Sequence, residues 1–300
     1  MPYRTCATAI PSMPRKALQF APAPAPDVKR RGAARVRPEP AATMAPGDSF
    51  VQAFARGLRV IQAFDGRARE LTLTEVADAA GLTRAGARRI LLTLEHLGYV
   101  KLDGRAFSLT ARILSLGYPY LTSLPFWNFA EPVMESLVQQ VHESCSAAVL
   151  DDREIVYVLR VPTQKIMAIN LSIGSRLPAY CTSMGRVLLA GLDAAEAHDV
   201  LRRSNLAALT SRTETRITRL RAVVDDTRAQ GWALVDQELE EGLISLAVPI
   251  VGASGRTIAA MNIGGQANRT PAAEMKRRFL GPLQAAAARI STLLAAHGKG

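Results

Sequence analysis

The sequence predicts an α+β fold class in which a winged helix-turn-helix unit, a linker helix and a larger domain of mixed strands and helices follow one another along the chain. Three observations predict it. Between residues 72 and 110 two short helical patterns flank a tight turn and run into a hairpin signal at Asp103-Gly104. Strand-like apolar runs recur at 147–173 and 232–263, with helical stretches between them. A long helical pattern closes the chain at 272–296. The boundaries read as a basic Pro/Ala-rich tail at 1–45, the winged unit at 46–109, the linker at 110–125 and the second domain at 126–300.

The tail, with its run Ala21-Pro22-Ala23-Pro24-Ala25-Pro26, has no sustained period and is expected to be disordered. Its Arg-rich, acid-poor makeup imitates a transit peptide but lacks a clear amphipathic helix and holds several prolines; a basic arm that adds nonspecific DNA affinity and a mis-called start are both open readings. Phe50, Phe54, Leu58, Ile61 and Phe64 then fall at helical intervals and predict the first of three core helices. Thr72 followed by Glu75 is a capping box for the second, with Leu73, Val76, Ala77 and Ala80 on one face and Gly81 as its stop. Thr83 caps the third, whose stripe is Ala87, Ile90, Leu91, Leu94 and Leu97 up to Gly98. At 100° per residue Arg84, Ala85 and Arg88 lie opposite that stripe, with Thr83 at the tip and Arg89 at the edge. Strands at 99–102 and 106–109 around a type I′ turn at Asp103-Gly104 predict a wing.

That order of elements points to double-stranded DNA, with Arg84 and Arg88 toward base edges, Thr83, Ala85 and Arg89 beside them on the groove-facing side, and Arg56, Lys101 and Arg105 toward phosphates. The charge distribution agrees. Of the formal net charge of +11, about half lies before Pro46, the 46–115 stretch is basic, and the rest of the chain is nearly balanced.

Downstream, Thr110 is expected to cap a connecting helix over 111–117. A helix through Val133, Leu137, Val138 and Val141 opens the second domain, followed by strands at 147–150, 155–161 and 166–173. Helices are expected at 183–190, 194–203 and 214–230, strands at 232–236, 243–251 and 257–263, and a turn at Gly252 to Gly255. The closing helix carries Met275, Phe279, Leu283, Ala287, Ile290 and Leu294 on one stripe, which reads as a core face. Ser183, Met184 and Gly185 stand where a helix begins, so their N–H groups offer a place for an anion. Gly185 is expected to let a ligand approach the backbone.

A hydrophobic share of 48 % over 300 residues is enough to build real cores. Cys6, Cys145 and Cys181 are odd in number and lack Cys-x-x-Cys spacing, which argues against a disulfide framework or a zinc knuckle and fits a reducing cytoplasm. The apolar run 243–251 is too short to cross a bilayer, so no membrane partner is expected. His96, His142, His198 and His297 form no catalytic constellation, and neither a nucleophile elbow nor a phosphate loop is present, so no enzyme is expected.

Three segments together carry a family resemblance: the winged motif; residues 174–190, with the string Tyr180-Cys181-Thr182-Ser183-Met184-Gly185-Arg186; and residues 231–249, with Gly231-Trp232-Ala233-Leu234-Val235-Asp236. From Ser49 to its end the sequence resembles the IclR family of bacterial transcriptional regulators, and the 180–186 string resembles the branch controlling the β-ketoadipate pathway of aromatic acid breakdown. The resemblance implies a GAF-like effector-binding domain over 126–296, a pocket on the central sheet, and a homodimer or homotetramer on a pseudo-palindromic operator. It implies effector contacts at Tyr180, Thr182, Ser183, Met184, Gly185, Asp236, Ser245 and Asn262. It also implies a small carboxylic acid as effector, with β-ketoadipate, protocatechuate and 4-hydroxybenzoate as candidates, and an activator's role, which would make RNA polymerase a partner.

Some relatives hold a cysteine where Ser245 stands, taken with a carboxylate to bind metal; here only Asp236 is a convincing ligand, so neither metal nor cofactor is expected. An acidic effector beside Asp236 would need a counter-charge, and Arg160, Lys165, Arg176 and Arg186 are candidates. A repressor of another catabolic operon and a ligand-independent DNA-bound scaffold remain the alternatives.

Overall fold

A computed structural model of the chain describes residues 50–64, 70–123, 126–163 and 171–297; the predicted tail lies outside them. The winged unit runs α1 (Gln52–Gln62), β1 (Leu71–Thr72), α2 (Leu73–Ala80), α3 (Arg84–His96), β2 (Val100–Asp103) and β3 (Ala106–Leu109). Local hydrogen bonds set its helix ends. The Thr72 N–H donates to the Glu75 carboxylate at 2.7 Å and Thr72 Oγ1 accepts from the Glu75 N–H at 3.4 Å, which also draws the Glu75 carboxyl below its ordinary range. Gly81 stops α2 at φ +64°, and Thr83 Oγ1 accepts from the Gly86 N–H at 3.2 Å to start α3. Val76, Ala80, Leu91 and Leu94 then bury against Val60, Val100 and Phe107.

Four expectations change here. Phe50, Phe54 and Leu58 are exposed, and α1 reaches the core only through its C-terminal end, with Val60 buried and Ile61 and Phe64 packed beside it. Leu97 follows the last helical residue and is 47 % exposed, so the α3 stripe ends at Leu94. In the wing Asp103 pairs with Ala106, which makes Gly104 and Arg105 the turn residues. Gly104 has φ +59° and Arg105 does not join it at positive φ, whereas a type I′ turn needs both; the arrangement is that of a turn with glycine first. Finally, β1 adds a third strand in the order β1-β3-β2, a two-residue element too short to leave a period in the sequence.

Thr110 caps a single 3₁₀ turn, Ala111–Ile113, and α4 (Leu114–Ser123) continues past the expected stop at Gly117. The remaining elements are α5 (Phe126–Val141), β4 (Ser144–Asp151), β5 (Glu154–Val161), β6 (Arg176–Pro178), α6 (Ser183–Ala190), α7 (Ala194–Arg203), α8 (Ile217–Gln230), β7 (Ala233–Asp236), β8 (Leu243–Val251), β9 (Thr257–Gln266) and α9 (Ala272–His297). Most of the strand expected at 166–173 lies outside the described residues, its last three residues are not strand, and β6 forms farther on.

The six strands form one antiparallel sheet ordered β6-β5-β4-β9-β8-β7, an α+β, GAF-like arrangement with helices on both faces. Period-two alternation divides its side chains. Cys145, Ala147, Ile244, Leu246, Met261 and Ile263 meet α5 and α9, where the whole predicted α9 stripe from Met275 to Leu294 is buried. By length and composition α9 would suit a membrane span, but its apolar stripe packs into this core. Ser144, Ser146, Ser245 and Asn262 belong to the opposite face, which α6, α7 and α8 cover along with Ala148, Ala247 and Ala260. One bulge interrupts the alternation: Ala147 pairs with Leu159 and Ala148 with Tyr157, leaving Val158 as an extra residue.

Candidate functional site

Thr83, Arg84, Ala85, Arg88 and Arg89 share the exposed side of α3, and Arg56, Lys101 and Arg105 are exposed on α1 and the wing. Among the described residues no carboxylate pairs with Arg88, Arg89, Arg56, Lys101 or Arg105, so these cations face solvent uncompensated. Arg84 is engaged locally, its guanidinium donating to Thr74 Oγ1 at 2.6 Å.

The second candidate is a narrow cavity between the sheet and α6, with room inside for only ≈ 40 Å³ of water-sized occupancy and ≈ 530 Å³ of atom-free space when the open solvent at its mouth is included. Strand register lays out its floor. Arg160, Ser146 and Asn262 form one row across β5, β4 and β9, and Ser144, Gly264, Ser245 and Val235 form the next across β4, β9, β8 and β7. The roof is the start of α6, Thr182 to Met184, with Leu239, Leu243 and Leu171 at the sides. Thr182 Oγ1 donates to the Pro178 carbonyl at 3.0 Å and accepts from the Gly185 N–H at 3.2 Å, fixing the helix start. Ser183 Oγ and Ser245 Oγ are 2.8 Å apart and tie roof to floor. Cys181 also lines the space, and burial pushes its thiol up to about 12, so it is a neutral group at physiological pH.

Of the residues expected to touch an effector, the cavity brings together Thr182, Ser183, Met184, Ser245 and Asn262. Three stand outside its lining. Tyr180 is buried with its hydroxyl donating to the Ala207 carbonyl at 2.6 Å. At Gly185 a Cβ would lie 2.1 Å from the Ala179 carbonyl oxygen, so the glycine is required by the chain's own backbone and not, as its position at a helix start suggests, by a ligand. Asp236 alternates with the cavity-facing Val235 and pairs with Arg212 at 2.7 Å, which removes the repulsion an acidic ligand would have met.

The candidate counter-charges separate as clearly. Arg176 pairs with Asp151 and Glu154, both at 2.7 Å. Arg186 is buried, donating to Glu238 at 2.7 Å and to the Tyr180 carbonyl at 3.1 Å. Lys165 lies outside the described residues. Arg160 lines the cavity. Among the described residues no three His, Cys, Asp or Glu side chains converge as a metal site would require. Sequence reasoning missed Ser144, Ser146 and Tyr157; the alternation of serines in Ser144-Cys145-Ser146 was the available signal for a strand with a polar inner face.

Residues 53–104 match the IclR helix-turn-helix domain and residues 118–292 the bacterial transcriptional regulator IclR C-terminal domain. The chain is 43% identical over 274 residues to the Pca regulon regulatory protein of Pseudomonas putida, covering 85% of this chain and 94% of that protein. It is 36% identical over 227 residues to the p-hydroxybenzoate hydroxylase transcriptional activator of Acinetobacter baylyi, covering 74% and 84%. The crystal structure of a putative transcriptional regulator from Rhodococcus sp. RHA1 superposes with a TM-score of 0.74 at 48% identity, covering 82% of this chain and 99% of that one. With both domain matches in place and in order, the chain belongs to the IclR family of bacterial transcriptional regulators.

Proposed function

We propose that this regulator controls genes of aromatic acid catabolism, within the β-ketoadipate pathway, and answers to a small carboxylic acid bound in the sheet cavity. The observation that carries the reading is the cavity itself: a cationic and hydroxylated floor beside apolar walls suits a small acid with a carbon body. The names of the two curated relatives, a Pca regulon regulator and a p-hydroxybenzoate hydroxylase activator, support the pathway and favour activation, with RNA polymerase as partner.

In this reading the chain works without catalysis, in the cytoplasm, as a homodimer or homotetramer. Two winged units of an oligomer place α3 in successive major grooves of a pseudo-palindromic operator. Arg88, with Thr83, Ala85 and Arg89, addresses base edges; Arg84, held by Thr74, positions the helix; Arg56, Lys101 and Arg105 take phosphates. The division into winged unit at 46–109, linker at 110–125 and effector domain at 126–300 supplies the route, because α4 joins the two. Effector contacts fall to Thr182, Ser183, Met184, Ser245 and Asn262, while Tyr180, Gly185 and Asp236 shape the cavity from outside it. The acid shifts operator occupancy only as far as it prefers one arrangement of the domains over the other.

Fluorescence anisotropy of the full chain on its own upstream intergenic DNA, at fixed salt with 4-hydroxybenzoate, protocatechuate or β-ketoadipate, tests this. One acid changing the affinity is the expected result. Tight DNA binding indifferent to all three acids would favour a ligand-independent scaffold, and absence of sequence-specific binding would overturn the reading.

A further inference from the structure

Resting on the effector reading above, we propose that Arg160, together with the Tyr157 hydroxyl, is the anchor for the effector's carboxylate, and that the Ser183–Ser245 pair receives a second oxygen substituent at the far end.

The β5 bulge is what makes this arrangement. In a regular strand residues 157 and 160 would point to opposite faces of the sheet. The extra residue Val158 sends Val158 and Leu159 both into the α5/α9 core, and so returns Arg160 to the face that Tyr157 occupies. Both side chains line the cavity, and among the described residues both lack a hydrogen-bond or ion-pair partner. Among the described residues no hydrogen bond or ion pair engages the Arg160 guanidinium, and no carboxylate lines the cavity. Tyr157 is 5% exposed, yet among the described residues its hydroxyl has no hydrogen-bond partner. A buried donor left unmatched is costly, and a guanidinium beside it adds a full positive charge; an anionic oxygen acceptor satisfies both at once. Burial pushes the Tyr157 hydroxyl up to about 12, so it stays a donor at neutral pH.

The start of α6 is the rival place for the charge. A helix end offers only about half a unit charge. Here the Gly185 N–H is already taken by Thr182, and Ser183 Oγ is already bonded to Ser245. That end suits an oxygen that completes the hydroxyl pair. Arg160 on β5 and Ser245 on β8 are three strand positions apart, about 14 Å between backbones, so the two poles lie on opposite sides of the cavity floor.

Isothermal titration of the full chain with 4-hydroxybenzoate, its neutral isostere 4-hydroxybenzamide, protocatechuate and β-ketoadipate tests the assignment, using wild type, Arg160→Gln, Arg160→Lys and Tyr157→Phe, with thermal unfolding of each ligand-free variant as the folding control. Wild type should bind at least one acid. Arg160→Gln should weaken that acid by about 30-fold, which is about 2 kcal/mol, Arg160→Lys should recover part of the loss, and Tyr157→Phe should cost about tenfold. If 4-hydroxybenzoate is the acid bound, its preference over the amide should vanish in Arg160→Gln. A folded Arg160→Gln that binds the acid as wild type does would overturn this anchor and leave the effector reading standing. Should Arg160→Gln not fold, undiminished binding by Tyr157→Phe together with Arg160→Lys would overturn it equally. Failure of wild type to bind any of the acids would overturn the effector reading and the anchor with it.

Discussion

Arg88 and Arg89 on α3, like Lys101 and Arg105 on the wing, stand exposed with no carboxylate against them among the described residues, whereas in the effector domain Arg176, Arg186, Arg203, Arg212, Arg216, Arg228 and Arg278 each close on an acid, beside six exposed arginines there, Arg219, Arg221, Arg256, Arg269, Arg277 and Arg289, that pair with none among the described residues. The two regions draw on the same residue type, but only the effector domain commits a set of them to its own acids. In the effector domain the paired arginines are structural cross-links, tying β6 to β5 through Arg176 and the roof helix to the 237–242 segment through Arg186. In the winged unit the charge is left uncompensated, which is what a polyanion requires, because a cation already paired releases no counterion from DNA. Arg160 lies in the effector domain and has no carboxylate against it among the described residues; unlike the exposed unpaired arginines of that domain it lines the cavity.

Substitutions can break this contrast from either side. The largest expected effect is Glu238→Ala, which would strand the buried Arg186 with only the Tyr180 carbonyl and should cost about 3–5 kcal/mol in urea unfolding, with the operator affinity of the folded protein unchanged. Arg88→Ala should do the reverse. It is expected to lose about 1–3 kcal/mol of operator binding and relax the preference at one base position, while stability stays within about 0.5 kcal/mol. Arg212→Ala removes an exposed pair with Asp236 and should cost no more than about 1 kcal/mol of stability, with DNA binding untouched.

The smallest effect is one of pH. Arg216, and the Arg216 N–H with it, hold the Glu214 carboxyl at about 2, below its unfolded value. The depressed carboxyl contributes stability above the unfolded pKa and loses it as pH falls toward the folded one, so Glu214→Gln should lose less stability than wild type when unfolding is compared at about pH 5 and about pH 3. An equal loss in the variant would show that the ion pair does not form in solution.

What could be read in the sequence was what local interactions decide. Thr72 and Glu75 bond to each other three residues apart, and the α9 stripe repeats within a single helix, so both were legible without a partner. The α1 stripe misled because periodicity shows that a face is apolar and not what covers it; Phe50, Phe54 and Leu58 are exposed. The start of β4 was hidden because Ser144 and Ser146 look inward at a polar cavity, which reads as a loop to any scheme that expects apolar inner faces. Asp236 and Gly185 were assigned to the ligand, yet their partners are Arg212 and the Ala179 backbone, contacts that only tertiary packing creates. The bulge at Val158 leaves no mark in the sequence either, although it alone decides which face Arg160 occupies.

The contrast between paired and unpaired arginines is tested most directly by the salt dependence of operator binding, measured by fluorescence anisotropy on the full chain for wild type, Arg105→Ala and Arg202→Ala. Arg105 has no carboxylate partner among the described residues, whereas Arg202 pairs with Asp199. The slope of log affinity against log salt concentration should become shallower by about 0.9 for Arg105→Ala, because one phosphate is no longer neutralised, and stay at the wild-type value for Arg202→Ala. Equal slopes for the two variants would contradict the claim that the winged unit's uncompensated cations are the ones that meet DNA.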